Sequence, residues 1–243
     1  MSKIHLLMRK EEIDSGKMLD NKLAVIFDVL LATSTITSGL YFGAKEVIPV
    51  LNGEEAVKES LLRQENSYVL VGEYEGKTIE GFLDPNPLTL KEKIAEKTMI
   101  LSTTNGTVAI RKAASSKKVF IGSLLNAAKL AEVIDCEHND ETVVIICSGT
   151  SGEFCLEDFY GAGCFLDFLL NHTNKDWELT DSSLAALYFY RGNKENGESL
   201  LLATHVGSML KKYGYEKEVE FISKVGTMGI VPYLHEQVIL PMY

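Results

Sequence analysis

The chain has 243 residues, 46% of them hydrophobic and 24% charged, the balance of an ordinary globular protein with one large unit or two small ones. That composition excludes a disordered tail, a collagen-like fibre and a disulfide-stapled miniprotein. Lys and Arg total 24 against 34 Asp and Glu, a formal net charge of −10; this acidic field repels phosphate backbones, and nucleic acid is not an expected partner.

In chain order, short β-branched runs alternate with helical patterns. Strands are expected at 4–8, 22–28, 46–51, 68–72, 98–102, 118–122 and 142–148, with helices at 34–42, 54–64, 90–97, 107–114, 124–134 and 156–171. Residues 22–28 (KLAVIFD) are almost wholly apolar, as a strand covered on both faces should be. In the helix from 54, Ala56, Leu61 and Leu62 can share a buried face while Glu54, Glu55, Lys58 and Glu59 cover the other. The last third changes character, with helices expected at 182–190, 199–212 and 216–224 and a strand at 237–240. The pattern predicts an α/β fold, a three-layer α/β/α arrangement around a largely parallel or mixed sheet. The polar stretch 136–140 reads equally well as an αβ loop or as a boundary between two α/β lobes of one unit, about 1–135 and 136–243.

The first apolar run breaks into charge at Arg9-Lys10 before it reaches signal-peptide length. Runs such as 23–27 and 143–147 are far shorter than the ~20 residues of a membrane span. A cytoplasmic protein with reduced thiols and no membrane partner is expected. Cys136, Cys147, Cys155 and Cys164 form no C-x-x-C pair, and burial as small hydrophobes is their default role.

Three strand ends share a chemical style. The strand ending at Asp28 leads to Thr33-Ser34-Thr35, the one ending at Ser102 to Thr103-Thr104-Asn105-Gly106-Thr107, and the one ending at Cys147 to Ser148-Gly149-Thr150-Ser151-Gly152-Glu153. Ligands of open α/β sheets lie beyond the carboxyl ends of the strands. Helices starting there present free N–H groups and a positive dipole end. Thr33, Ser34, Thr104, Asn105, Gly106, Thr107, Ser148, Gly149, Thr150 and Gly152 are therefore candidate phosphate-binding residues. As isolated loops the same residues would be helix caps and turns.

Carboxylates sharpen this reading. Asp28 closes an apolar strand, where a charge is costly without a partner. Glu73, Glu75 and Glu80 follow another strand, and Glu153, Glu157 and Asp158 surround the start of a helix. A few carboxylates beside a phosphate cradle suit Mg²⁺, which takes one or two of them plus substrate oxygens. Asp28, Glu73 and Glu153 are the candidate metal ligands, while Asp28, Glu157 and Asp158 are the candidate catalytic groups, the last two positioning a water. Glu75 reads as a solvated loop residue. His5, His138, His172, His205 and His235 have no metal-binding spacing, and Cys155 has no neighbouring histidine to activate it.

Taken in order, Asp28-Val29-Leu30-x-Ala32-Thr33-Ser34-Thr35, Gly72-Glu73, Gly81-Phe82, Thr103-Thr104-Asn105-Gly106-Thr107, Gly122-Ser123-x-Leu125-Asn126-Ala127 and Cys147-x-Gly149-Thr150-x-Gly152-Glu153-x-x-Leu156-Glu157-Asp158-Phe159 form a set. The set resembles the 2-phosphosulfolactate phosphatase (ComB) family over about residues 20–165, with a fainter echo at Val231-Pro232. The resemblance implies a Mg²⁺-dependent hydrolysis of 2-phospho-3-sulfolactate to sulfolactate and phosphate, a step of coenzyme M synthesis, on a two-lobed α/β architecture. A small anionic metabolite is the implied partner, and assembly into a homo-oligomer is left open. The sequence also departs from the family pattern: arginines stand there where this chain has Leu31, Tyr74 and Val108, and the stretch from Gly81 to Pro87 is one residue shorter. Arginine grips anions through a planar fork, so its loss removes charge-assisted contacts worth about 1.5–3 kcal/mol each. The alternative expectation is a divergent, non-catalytic or altered-substrate member that binds a less charged metabolite.

Overall fold

The computed structural model describes residues 2–19, 21–137, 140–172 and 175–243. Its elements run β1 (Ser2–Leu7), β2 (Lys22–Phe27), α1 (Ala32–Tyr41), β3 (Glu46–Val50), α2 (Gly53–Ser60), β4 (Tyr68–Tyr74), β5 (Lys77–Thr78), α3 (Pro87–Leu90), β6 (Thr98–Ser102), α4 (Gly106–Lys112) and β7 (Lys118–Gly122). There follow α5 (Ala127–Glu137), β8 (Thr142–Cys147), α6 (Leu156–His172), β9 (Trp177–Leu179), α7 (Asp181–Asn193), α8 (Gly197–Ala203), α9 (His205–Lys212), α10 (Glu216–Ile222), β10 (Val231–His235) and β11 (Val238–Met242). A 3₁₀ turn at Lys10–Glu12 follows β1.

The strands form one mixed sheet in the order β5-β4-β6-β3-β11-β10-β7-β2-β8-β1-β9. Two blocks are parallel, β4-β6-β3 and β7-β2-β8-β1-β9. The antiparallel hairpin β10–β11 is inserted between them, pairing with β7 on one side and with β3 on the other. Parallel strands that form the middle of a sheet are covered on both faces, and β2 shows it: Leu23, Ala24, Val25, Ile26 and Phe27 are all fully buried.

One core joins the two blocks. Ala24 and Ile26 of β2 and Val144 and Ile146 of β8 share a cluster with Val47 of β3 and Met99 and Leu101 of β6, around Ile36 and Leu40 of α1 and Ala109 and Ile110 of α4. The sheet therefore curls at the hairpin, and α1 and α4 form an inner layer common to both blocks. The outer faces are covered by α2 on one block and by α5, α6 and α7 on the other. A helix in such an inner layer has no solvent for its polar groups, which accounts for the hydroxyl-rich sequence of α1. Thr33, Ser34, Thr35, Thr37 and Ser38 are all fully buried, and each hydroxyl donates to a carbonyl: those of Asp28, Val29, Pro85, Thr33 and Ser34, respectively.

The Gly122-to-Ala127 motif is also structural. Asn126 accepts the Ser123 N–H at 2.9 Å and donates to the carbonyls of Ile121 (3.1 Å) and Ile230 (3.2 Å). This ties the end of β7 to the segment leading into β10.

The structure corrects several expectations. The helix at 90–97 is instead the four-residue α3, begun by Asn86, which accepts the Leu88 and Thr89 N–H groups, and by Pro87 at its first position. The helix at 199–212 is two helices broken at Thr204, whose hydroxyl accepts the Gly207 N–H. A Cβ at Gly207 would lie 1.8 Å from the Leu201 carbonyl, so only glycine fits this tight turn. Because α2 stops at Ser60, Leu61 and Leu62 leave the face of Ala56 and are exposed. Strands β5, β9 and β10 are too short, or too interrupted by proline, to stand out in the sequence.

Helices α6 and α7 cross closely at Gly163, where an added Cβ would lie 2.2 Å from the Ala186 carbonyl oxygen and 2.7 Å from Tyr190 Cβ. Gly163→Leu should therefore destabilise the protein by at least about 1–3 kcal/mol, read as a lowered midpoint in urea unfolding.

Candidate active site

The site is built around Asp28, which follows β2 and is 8% exposed. Its carboxylate accepts the Ala32 N–H at the start of α1. The start of α4 abuts the same carboxylate: a Cβ on Gly106 would lie 2.7 Å from Asp28 Oδ2 and 2.4 Å from Ala32 Cβ. Glycine is what lets the two helix starts converge here. The Asp28 carboxyl is nevertheless pushed up to about 7, chiefly by burial and then by Glu73, against the pull of the Ala32 N–H; Glu157 adds to the rise and Lys10 opposes it.

Around Asp28 the ends of β4, β6 and β8 are stitched together. Glu73 accepts the Thr104 N–H (2.7 Å), the Thr104 hydroxyl (3.0 Å) and the Gly76 N–H (2.8 Å). Asn105 donates to the Thr150 hydroxyl at 3.0 Å, joining the β6 end to the β8 end, and accepts Lys10 Nζ at 2.8 Å. Lys10 itself is 7% exposed and also pairs with Glu11 at 3.1 Å. Arg9 donates to the Gly152 carbonyl at 2.7 Å. By the side-chain inventory, Asn105 keeps one amide proton and Thr150 its hydroxyl proton for a bound molecule. Ser148 is fully buried, and its hydroxyl has no hydrogen-bond partner among the described residues.

Two further carboxylates lie behind this surface. Asp158 accepts the Val29 N–H at 2.9 Å through Oδ1 and the Gly149 N–H at 3.1 Å through Oδ2, so α6 clamps the ends of β2 and β8. Its carboxyl is pushed well above the usual range by burial, then by Asp28 and Glu157. Glu157 is raised too, mainly by burial, although the Thr204 and Cys155 side chains hydrogen-bond to it. Burial, followed by these same acids, pushes the Cys155 thiol up, which makes it a poor nucleophile.

These groups border a cavity of about 470 Å³. Of the residues singled out in the sequence, Asp28, Glu73, Thr104, Asn105 and Thr150 line it. Thr33, Ser34, Gly106, Thr107, Ser148, Gly149, Gly152, Glu157 and Asp158 do not line it; they are loop and helix-start residues around or behind that wall. Thr107, for instance, is closed on Thr103, donating to its carbonyl at 2.9 Å. Glu153 is exposed and lies outside the lining. His138 falls outside the described residues. The sequence reading passed over Lys10, whose run looked like a mere charge break. His205, set aside in the sequence for want of a metal-binding spacing, reaches the cavity from the last third of the chain, as do Met209, Tyr213 and Tyr215, which the sequence does not single out. No local spacing announces them.

Among the described residues no three His, Cys, Asp or Glu side chains converge closely enough to hold a metal ion on their own. The donor set still suits a hard cation that keeps most of its coordination for water and substrate: Asp28 and Glu73 both face the cavity, and their mutual repulsion is a cost that a divalent ion would relieve.

The raised carboxyls carry a stability consequence. The folded protein holds the Asp28 proton up to about 7, whereas an ordinary aspartate releases it near 3.8. Between those values it binds more protons than the unfolded chain, so stability falls as pH rises. In metal-free buffer the melting temperature should drop from pH 5 to pH 7.5, and Asp28→Asn should flatten part of that slope; Glu157 and Asp158 shift in the same direction and supply the rest.

The family profile described as 2-phosphosulpholactate phosphatase matches residues 7–237. Similar curated proteins include one from Caldicellulosiruptor saccharolyticus, 41% identical over 84% of this chain and 85% of its own. Others come from Caldanaerobacter subterraneus subsp. tengcongensis, 37% identical over 91% of each chain, and from Clostridium novyi, 37% identical over 96% of this chain and 97% of its own. Each is named as a probable 2-phosphosulfolactate phosphatase, a phosphoric monoester hydrolase. With the profile covering nearly the whole length and the relatives matching end to end, the chain belongs to the 2-phosphosulpholactate phosphatase family.

Proposed function

We propose that this chain is a Mg²⁺-dependent phosphatase acting on a small organic phosphate monoester, in the manner named for its relatives, which act on 2-phosphosulfolactate. The observation that carries this reading is the placement of Asp28: a buried carboxylate at two helix starts, beside Glu73, on the wall of a cavity. In this reading Asp28 and Glu73 hold the ion. Bound there, Mg²⁺ would neutralise phosphoryl oxygens as charge develops during displacement.

The remaining roles belong to the chain's own groups. Asn105 and Thr150 donate their free protons to phosphoryl oxygens. Glu73 also fixes the Thr104 backbone, so it sets the shape of the cradle. Asp158 and Glu157 act as positioning residues: the first holds Val29 and Gly149, and the charge of the second helps to raise the Asp28 carboxyl. Lys10 orients Asn105 from outside the cavity.

Phosphate release from 2-phosphosulfolactate and simpler phosphate esters, with and without Mg²⁺, tests the proposal. Activity should require the metal, and Asp28→Asn should lower kcat by about 10²–10³-fold or more while the protein stays folded. Full Mg²⁺-dependent turnover by that variant would overturn the assignment. Gly106→Ala should depress kcat comparably, because the new methyl group displaces either the Asp28 carboxylate or the start of α1.

A further inference from the structure

The cavity lining holds two kinds of residue. Asp28, Glu73 and the Thr104, Asn105 and Thr150 side chains are polar. Leu31, Val206, Met209, Leu210, Tyr213 and Tyr215 are apolar or aromatic. Glu75 and Asp84 also line it, and among the described lining residues there is no Lys or Arg; His205 is the one basic side chain among them. Two cations behind the wall are engaged elsewhere: Lys10 with Asn105 and Glu11, Arg9 with the Gly152 carbonyl. Tyr215 donates to Asp84 Oδ2 at 2.8 Å, which fixes its ring along the wall.

We infer that the substrate's organic part, beyond its phosphate, is uncharged and presents an apolar or aromatic face to the wall formed by Leu31 and helix α9. This rests on the phosphatase reading above for the phosphate end. The physical reason is electrostatic. A molecule bearing a sulfonate and a carboxylate as well as a phosphate would bring two more anions toward Asp84, Glu75 and an apolar surface, with no guanidinium or ammonium among the described lining residues to receive them. An uncharged organic group meets no such penalty and gains contact with aliphatic and aromatic side chains. A cavity of about 470 Å³ also leaves room well beyond a phosphate group.

Two measurements on the full chain separate this inference from the phosphatase reading. The first is binding, read as protection from thermal unfolding by phenylphosphonate or by phosphonoacetate, which share the phosphonate and differ in the charge of the organic part. Phenylphosphonate should bind about tenfold or more tightly than phosphonoacetate. Leu31→Arg should narrow or reverse that preference, and Met209→Lys on the same wall provides the same readout if the first variant does not fold. Tighter binding of phosphonoacetate by the wild type, or a preference unmoved by both charged variants, would overturn the inference. The second is Mg²⁺-dependent phosphate release from phenyl phosphate and from 2-phosphosulfolactate. Faster turnover of phenyl phosphate supports the inference, and faster turnover of 2-phosphosulfolactate overturns it while leaving the phosphatase reading intact. No release from either ester would overturn the phosphatase reading, and the binding preference would then decide the organic-group assignment by itself.

Discussion

The clamp made by Asp158 is the interaction on which the arrangement of the site depends. One buried carboxylate accepts backbone N–H groups from Val29, just past β2, and from Gly149, just past β8. Neighbouring parallel strands are held together by their ladder only as far as their ends. Beyond that point the backbone donors need another partner, and a side chain from the first turn of α6 provides it. The cost is a second buried acid close to Asp28. That proximity is what makes the cluster electrostatically tense, with three neighbouring carboxyl groups all held above their usual range.

Tension of this kind gives the site a bias toward positive charge without a dedicated cage of ligands. The backbone donors at the starts of α1 and α4 offset part of the repulsion, but burial outweighs them at Asp28. The protein thus combines donors for an anion with carboxylates for a cation within one wall. That pairing matches the chemistry of phosphoryl transfer, in which the transferred group and its counter-ion arrive together. Leu31 and the apolar residues of α9 carry no charge into this balance, whereas His205 at the start of α9 draws the Glu157 carboxyl down.

Much of this was legible in the sequence, for identifiable reasons. The run KLAVIFD announces a central strand and sets Asp28 at its end, because a charge closing an apolar run is rare without a function. The Thr104-Asn105-Gly106 and Gly149-Thr150 loops follow strands in the same topological position, which is why they could be grouped before their contacts were seen. Other parts of the same motifs proved to serve the fold: Thr33 and Ser34 satisfy carbonyls within a buried helix, and Asn126 secures the path to β10. What the sequence could not show is long-range convergence. Lys10 meets Asn105 across 95 positions and Tyr215 meets Asp84 across 131, contacts that no local periodicity encodes. The segment from α9 to Tyr215 reads as helical in the sequence but not as part of a cavity. The exposure of Glu153 follows from the turn at Thr150–Glu153, whose backbone groups bond to each other, and not from any spacing visible beforehand.

The position of the β10–β11 hairpin has a consequence for how the chain acquires its structure during synthesis. Residues 231–242 follow every other described element in the sequence, yet they lie between the two parallel blocks. Until that segment emerges, β3 and β7 each present an unpaired edge, and the two blocks can be joined only by the inner helices. Such edges invite pairing with other chains, so the nascent protein is most exposed to misassembly just before its last strands arrive. Closure of the sheet is then a late, long-range event of high contact order, and it couples the folding of both halves to a dozen residues that are not among those lining the cavity.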